Sequence, residues 1–212
     1  MRGSLDKMVK IAFFDFSRTI AKGTGFGAGP IFLNREKEYN ELYEKYQAKK
    51  LDEVNFIKSV GELWKDFKEK DISKIYSKIE LNPNVKNTLK KLKKRDIKLA
   101  LVSNIPIKLA EFYKNLGFDF VSGTTFETRN GIFTGKVLKI NSDKFRIVNS
   151  ICNHAKISPK ECIAIGDSIG DIGMFKAVGY NNSFAYNAKS KVKKYAKYNI
   201  KDFKEIIKIF EK

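Results

Sequence analysis

The 212-residue sequence predicts an α/β fold, in which a Rossmann-like parallel sheet carries a small helical cap inserted after the first strand. Strand and helix patterns alternate along most of the chain, which is typical of a parallel sheet covered by helices on both faces. A run of amphipathic helical patterns at about residues 22–80 separates the first two strands. We therefore predict a core formed by residues 1–21 and 81–212 and a cap formed by residues 22–80.

Short apolar runs mark the strands of the predicted sheet. Short runs that are mostly apolar are typical of strands buried on both faces of a parallel sheet. A segment that turns at Asn-Gly is instead predicted to form a hairpin. The predicted strands lie at residues 9–14, 97–102, 162–165 and near Phe184, and the predicted hairpin covers residues 124–134.

Helices are predicted where apolar residues recur with helical spacing. In the cap, Tyr39, Leu42, Tyr43 and Tyr46 form such a stripe. In the core, each helix connects one strand to the next. The predicted core helices lie at about residues 84–95, 106–116 and 142–155 and from about Asp202.

Composition excludes several classes of protein. The apolar runs are too short for a membrane span, which needs about 20 residues, and we find no secretory signal pattern. Cys152 and Cys162 are too few for a disulfide framework or a zinc cluster, so we expect reduced thiols and a cytoplasmic protein. The formal net charge of +18 leaves a basic nucleic-acid-associated protein as an alternative, but no nucleic-acid motif accompanies it.

Polar side chains follow three of the predicted strands. Asp15 follows the first, Ser103 the second, and Asp167 and Asp171 follow the strand at residues 162–165. In open α/β sheets, ligands bind at this edge. A carboxylate there can attack phosphorus, and further carboxylates can hold the Mg²⁺ that offsets the charge of a phosphoryl group. Ser103 is expected at the head of a helix, where free N–H groups bind phosphate.

Taken singly, each of these residues is explained as well by a turn or a helix cap. Their order along the chain is more specific, because it resembles the haloacid dehalogenase superfamily and its phosphoserine-phosphatase-like branch. The resemblance lies in residues 13–19, 102–104, 131–135 and 165–175 and in Lys144.

The resemblance implies a reaction through an aspartyl-phosphate intermediate on a small phosphorylated molecule, with Mg²⁺ as cofactor. Asp15 would be the nucleophile and a metal ligand. The main-chain carbonyl of Ser17 and the carboxylate of Asp167 would also bind the metal, and Asp171 would do so directly or through water. Lys144 would balance the negative charge.

The phosphate would be held by the second motif. The resemblance assigns this role to the Ser103 hydroxyl and to the neighbouring amide of Asn104, with Lys144 contacting the phosphoryl oxygens. We expect no membrane partner, and the composition does not predict the oligomeric state.

Ser17 departs from the family pattern, because phosphatases of the family carry at this position an Asp that acts as general acid and base. Such a group contributes about 10²–10⁴-fold in rate. Three hypotheses follow: the chain hydrolyses phosphate esters slowly or only with good leaving groups, it passes phosphate from phosphorylated Asp15 to another acceptor, or it binds a phosphorylated ligand without turnover.

The substrate is not predicted to be phosphoserine. No Arg occurs at residues 36–80, so a guanidinium that could bind a substrate carboxylate is absent from this stretch or is supplied by another part of the chain. The cap aromatics Phe26, Tyr39, Tyr43 and Trp64 either line a pocket for a larger phosphorylated molecule or form the core of the cap.

Overall fold

The structure of the protein is a computed structural model, and it describes residues 9–211. These residues form one sheet in the order β4-β3-β2-β1-β5-β6-β7. All neighbouring strands are parallel except β4, which is antiparallel to β3. The predicted α/β fold with a Rossmann-like sheet is confirmed. The strands are β1 (Ile11–Phe14), β2 (Lys98–Pro106), β3 (Phe120–Arg129), β4 (Ile132–Lys139), β5 (Cys162–Gly166), β6 (Ser183–Tyr186) and β7 (Tyr198–Ile200).

Helices cover both faces of the sheet. One face packs against α7 and α8, and the other packs against α5, α6 and α10. Within residues 9–211, no helix has both the length and the apolar character needed to cross a bilayer. The helices are α1 (Ala28–Phe32), α2 (Glu36–Gln47), α3 (Glu53–Leu63), α4 (Ile72–Lys78), α5 (Val85–Lys93), α6 (Ile107–Phe112), α7 (Lys144–Ala155), α8 (Ile172–Val178), α9 (Ser190–Lys193) and α10 (Lys204–Phe210).

Strand β1 is the central strand, and its four residues are all buried. It pairs with β2 on one side and with β5 on the other, so that Phe14 lies opposite both Leu101 and Ile165. Because the three strands are parallel and in register, their carboxyl ends reach the same edge of the sheet. The residues that follow them therefore meet there.

Strand β2 is longer than predicted, and the expectation that Ser103 heads a helix is wrong. The strand continues to Pro106, which pairs with Thr124 after a shift in register, and α6 begins only at Ile107. Proline disfavours helical backbone in the residue before it, so Pro106 favours an extended Ile105 and a helix that begins only after the proline. Ser103 consequently lies inside the strand, four residues before the helix.

The helices at residues 22–80 pack against the β3–β4 hairpin. Trp64 is fully buried, and its indole Nε1 donates a hydrogen bond of 3.0 Å to the carbonyl of Phe26. Its ring lies 5.5 Å from that of Phe133 in β4, and the Asp66 N–H donates to the Phe133 carbonyl. Trp64 and Phe26 therefore belong to a shared hydrophobic core and do not line a pocket.

Two adjacent segments connect these helices to the sheet. The Lys22 N–H donates to the carbonyl of Glu80, and Ala21 forms a bridge with Leu81. Asn82 stabilises this connection, because its Nδ2 donates hydrogen bonds to main-chain carbonyls of the loop after β1. The division into a core and a cap at residues 21–22 and 80–81 remains a prediction.

Candidate functional site

Three carboxylates meet at the carboxyl edge of the sheet. One oxygen atom from each of Asp15, Asp167 and Asp171 lies within 4.8 Å of the others. Asp15 follows β1 directly, and its N–H extends the sheet by donating to the carbonyl of Ile165. Asp167 follows β5, and Asp171 ends the short turn between β5 and α8.

Lys144 lies between two of these carboxylates. Its Nζ donates to Asp15 Oδ1 at 2.6 Å and to Asp171 Oδ1 at 2.7 Å, and the side chain is 6% exposed. Lys144 is the first residue of α7. A glycine lets α8 approach this helix closely, because a Cβ atom at Gly173 would lie 2.9 Å from the main-chain nitrogen of Phe145.

Asp171 is fully buried, and both of its carboxylate oxygens accept hydrogen bonds. Its Oδ2 accepts hydrogen bonds from the N–H groups of Asp167 and Ser168 and from the Ser168 hydroxyl, at 2.9–3.0 Å. A Cβ atom at Gly166 would lie 2.5 Å from the Asp171 side chain, so only glycine leaves room for this carboxylate. The turn holds Asp171 where it orients Lys144.

The three carboxylates outnumber the two cationic side chains that contact them, Lys144 and Arg18, so the site carries excess negative charge. Burial and the neighbouring Asp171 carboxylate raise the pKa of Asp15 to about 7, despite the opposing effect of Lys144. Burial and Asp171 likewise raise the pKa of Asp167 to about 6. Burial by itself would lower the pKa of Lys144, but Asp15 and Asp171 outweigh it and raise that pKa. An all-oxygen, negatively charged site of this kind fits a hard divalent cation such as Mg²⁺.

Arg18 contacts the same site from the loop after β1. Its Nε lies 3.1 Å from Asp167 Oδ2, and its guanidinium donates to the Tyr43 hydroxyl on α2 at 2.6 Å. The backbone of Arg18 is left-handed, with φ of 61°. The half-exposed Arg18 thus joins a site carboxylate to the helices at residues 22–80, and Tyr43 lies at this junction.

Ser103 and Asn104 lie at the neighbouring strand end. Ser103 is buried, and its hydroxyl oxygen accepts from the Ile105 N–H at 3.3 Å. The Asn104 side chain points toward α3, where its Nδ2 donates to Glu53 Oε1 at 2.9 Å. Asn104 Oδ1 is buried and has no partner among residues 9–211. The second motif therefore contacts a carboxylate from the predicted cap.

The Ser17 side chain turns toward the glycine-rich loop. Its hydroxyl oxygen accepts a hydrogen bond of 3.3 Å from the Gly25 N–H. A neutral hydroxyl held in this way is not an effective general base near pH 7. The assignment of the Ser17 carbonyl as a metal ligand remains a prediction.

Three residues of this region were not assigned roles from the sequence. Thr19 is fully buried, and its hydroxyl lies 3.4 Å from Asp167 Oδ1. Arg18 and Thr19 could have been found, because they lie within the first motif. Glu53 carries no such signal, since an acidic residue in the first turn of a helix is common.

Comparisons with known proteins give a consistent result. Residues 9–179 match the haloacid dehalogenase-like hydrolase family. A phosphoserine phosphatase of Methanocaldococcus jannaschii is 26% identical over 209 residues, which cover 96% of this chain and 99% of that protein. A solved structure of a phosphoserine phosphatase with a phospho-aspartyl intermediate analogue has a TM-score of 0.81 and 25% identity, over 94% of this chain and 98% of that one. A hydrolase of the same superfamily from Salmonella enterica has a TM-score of 0.83 at 19% identity over 92% of this chain and 68% of that one, which supports the fold.

Proposed function

Because this chain belongs to the haloacid dehalogenase-like hydrolase family, we propose that it releases phosphate from a small phosphorylated molecule, with Mg²⁺ and through a phosphorylated Asp15. The observation that carries the proposal is the buried contact of Asp15 with Lys144, beside Asp167 and Asp171. A phosphoserine phosphatase aligned over nearly the whole chain supports a phosphoric monoester hydrolase. The unbridged cysteines fit a reducing, cytoplasmic setting.

Each residue has a role in this proposal. Asp15 attacks phosphorus and becomes phosphorylated. Lys144 holds Asp15 in place and offsets the charge of the phosphoryl oxygens. The Ser103 hydroxyl and the main-chain amide of Asn104 bind the phosphate, as proposed for the second motif.

The metal site would be formed by Asp15, Asp167 and the Ser17 carbonyl. When bound, Mg²⁺ supplies positive charge against the equatorial phosphoryl oxygens. Both oxygens of Asp171 are already engaged, one by Lys144 and the other by the turn after β5. This favours contact of Asp171 with the cation through water.

The substrate remains a small phosphorylated molecule of unassigned identity. Arg18 is a basic residue that faces the predicted cap, where its guanidinium contacts Tyr43. It is therefore a candidate for binding an anionic group of the substrate, in place of the arginine that residues 36–80 lack.

Ser17→Asp separates slow hydrolysis from binding without turnover. If no other residue supplies the acid/base group, we expect the substitution to raise turnover about tenfold or more, and a smaller gain is expected if another carboxyl already supplies it. Phosphate release from a panel of phosphate esters, with Mg²⁺ present, measures the effect. Ser59→Asp, in the middle of α3, is a control for the added charge and should not raise turnover. A Ser17→Asp protein that binds Mg²⁺ and phosphate without turning over would contradict the hydrolase proposal and favour a binding module.

The affinity for Mg²⁺ should rise from pH 5.5 to pH 7.5. The raised pKa values of Asp15 (about 7) and Asp167 (about 6) mean that both carboxyls carry protons at the lower pH. These protons must leave before the carboxylates can bind a cation, so each contributes up to about a tenfold gain per pH unit below its pKa. Calorimetric titration with MgCl₂ at constant ionic strength measures the change.

The same titration in two buffers of different ionisation enthalpy counts the protons released. We expect net release on Mg²⁺ binding at pH 6.5 and little at pH 8.5. An affinity that is equal at pH 5.5 and 7.5, without proton release, would show that Asp15 and Asp167 do not bind the cation.

A further inference from the structure

We propose that Glu53, the first residue of α3, is the general acid and base that position 17 lacks. The inference rests on the proposed phosphatase function and adds a catalytic residue to it. In this proposal the proton-transfer group lies on a helix that covers the edge of the sheet, and not on the loop after β1, where the family pattern places it.

Contacts connect Glu53 to the phosphate-binding strand end. Its Oε1 accepts a hydrogen bond of 2.9 Å from Asn104 Nδ2, and Asn104 follows Ser103 directly. Its Oε2 has no hydrogen-bond partner among residues 9–211 and is available to a substrate. Asn104 Oδ1 is buried and also has no partner among these residues, so the Asn104 amide is not fully satisfied by the protein.

The position also fits the direction of the reaction. In phosphoryl transfer the attacking and leaving oxygens lie roughly in line, on opposite sides of phosphorus. Asp15 attacks from the strand end, so the leaving oxygen points away from the sheet, toward the helices at residues 22–80. Among these helices, α3 presents a carboxylate to the second motif.

The environment of Glu53 favours a proton-transfer role. Burial raises the pKa of the partly buried Glu53, against the lowering effects of Lys144 and of the Asn104 hydrogen bond, while Asp171 raises it further. Tyr46 on α2 is a further titratable neighbour, and its own pKa is raised by burial and by Glu53. A carboxyl with a raised pKa can hold a proton for the leaving oxygen and give it up nearer neutral pH than an exposed one.

The proton balance closes over the two steps. Asp15 forms a bond to phosphorus as the bond to the leaving oxygen breaks, and that oxygen takes the proton of the Glu53 carboxyl. The Glu53 carboxylate then removes a proton from water, whose oxygen attacks the phosphorus of phosphorylated Asp15. The bond from Asp15 to phosphorus breaks, which frees phosphate and the Asp15 carboxylate and leaves Glu53 protonated again.

A competing explanation is that Glu53 only stabilises the start of α3 and ties it to Asn104. A carboxylate in the first turn interacts favourably with the helix dipole. This explanation predicts equal effects of Glu53→Gln on all phosphate esters. Proton donation predicts unequal effects, because a leaving group that is already a weak base needs no proton.

The experiment compares Glu53→Gln with wild type on β-glycerol phosphate, an alkyl ester, and on p-nitrophenyl phosphate. We expect kcat/KM for β-glycerol phosphate to fall about 10²-fold or more, and kcat/KM for p-nitrophenyl phosphate to change less than about threefold. Because the second step also loses its base, rapid mixing with p-nitrophenyl phosphate should show a burst of nitrophenolate of about one equivalent per enzyme, followed by slow turnover.

A double variant tests whether a carboxyl at residue 17 can replace the carboxyl of Glu53. Adding Ser17→Asp to Glu53→Gln should restore at least about tenfold of the lost kcat/KM with β-glycerol phosphate, because it returns a carboxyl to the loop after β1. Glu62→Gln, at an exposed carboxylate of the same helix, is the matched control and should leave both esters unaffected. Thermal melting checks that each variant is folded.

Equal losses on the two esters, or no loss on either, would overturn the role of Glu53 and leave the proposed function intact. Failure of wild type to release phosphate from either ester, or activity that survives Asp15→Asn, would instead overturn the proposed function and the inference with it.

Discussion

Asp15→Asn should abolish phosphate release, lowering kcat by about 10⁴-fold or more, because the amide oxygen cannot form the acyl phosphate. Asn has nearly the shape of Asp, and its oxygen can still accept the hydrogen bond from Lys144 that lies at 2.6 Å in the wild type. The loss should therefore occur in a folded protein. Phosphate release with Mg²⁺ under saturating ester measures it.

Asp143→Asn is a suitable control for this substitution. Asp143 lies next to Lys144 but is exposed, and it caps α7 by accepting from the Arg146 N–H. Asn caps helices about as well as Asp, so activity and stability should be retained. Turnover by Asp15→Asn above about a hundredth of the wild-type value would refute the assigned nucleophile.

The Asp15→Asn substitution should also change the stability of the protein in Mg²⁺-free buffer. The pKa of Asp15 is about 7 in the folded protein and 3.8 ordinarily, so the folded wild type binds more protons than the unfolded chain between these pH values. The free energy of unfolding of the wild type therefore decreases as the pH rises through that window. Asn carries no charge, so Asp15→Asn should gain stability relative to wild type from pH 4 to pH 7.

Lys144→Met should destabilise the Mg²⁺-free protein by about 3–5 kcal/mol at pH 7.5, because it leaves buried carboxylates without their cation. Lys144 is 6% exposed and contacts both Asp15 and Asp171. Part of the loss should return when millimolar Mg²⁺ supplies positive charge to the site. Urea unfolding with and without Mg²⁺ measures both effects.

Lys93→Met provides the comparison at the surface. Lys93 forms an ion pair with Asp119 at 2.9 Å, where the two side chains are 40% and 31% exposed. Exposed pairs contribute about 1 kcal/mol or less, so this control should change stability little. If both substitutions cost the same, Lys144 does not neutralise a buried cluster.

Local sequence patterns were enough to predict the fold class, and they were enough to propose Asp15 as the nucleophile. The apolar run before Asp15 and the run before Asp167 each identify a buried strand followed by a turn, because strand burial is encoded in consecutive residues. Parallel strands then bring their carboxyl ends to one edge. Lys144 could be proposed only by resemblance, since one lysine among many has no distinctive local pattern.

Tertiary pairing changed the interpretation of β2. The extension to Pro106 depends on the register shift between β2 and β3, and it places Ser103 inside a strand. The sequence likewise did not decide whether Trp64 and Phe26 line a pocket or form part of a core, because this too depends on tertiary packing. Their burial depends on the β3–β4 hairpin, which follows them by more than fifty residues.

Contacts between distant residues were beyond sequence reasoning. Cys152 and Cys162 are ten residues apart, yet the end of α7 and the start of β5 bring their buried sulfur atoms to 3.6 Å. Glu53 meets Asn104 because α3 folds back over the sheet edge.

The sequence by itself determined that strands alternate with helices and that a carboxylate follows each of two buried strands, because these properties depend on near neighbours along the chain. Only the tertiary structure showed that Arg18 and Glu53 contact the predicted site residues. The burial that raises the pKa of Asp15, and the meeting of Glu53 with the second motif, arise from packing between segments far apart in sequence.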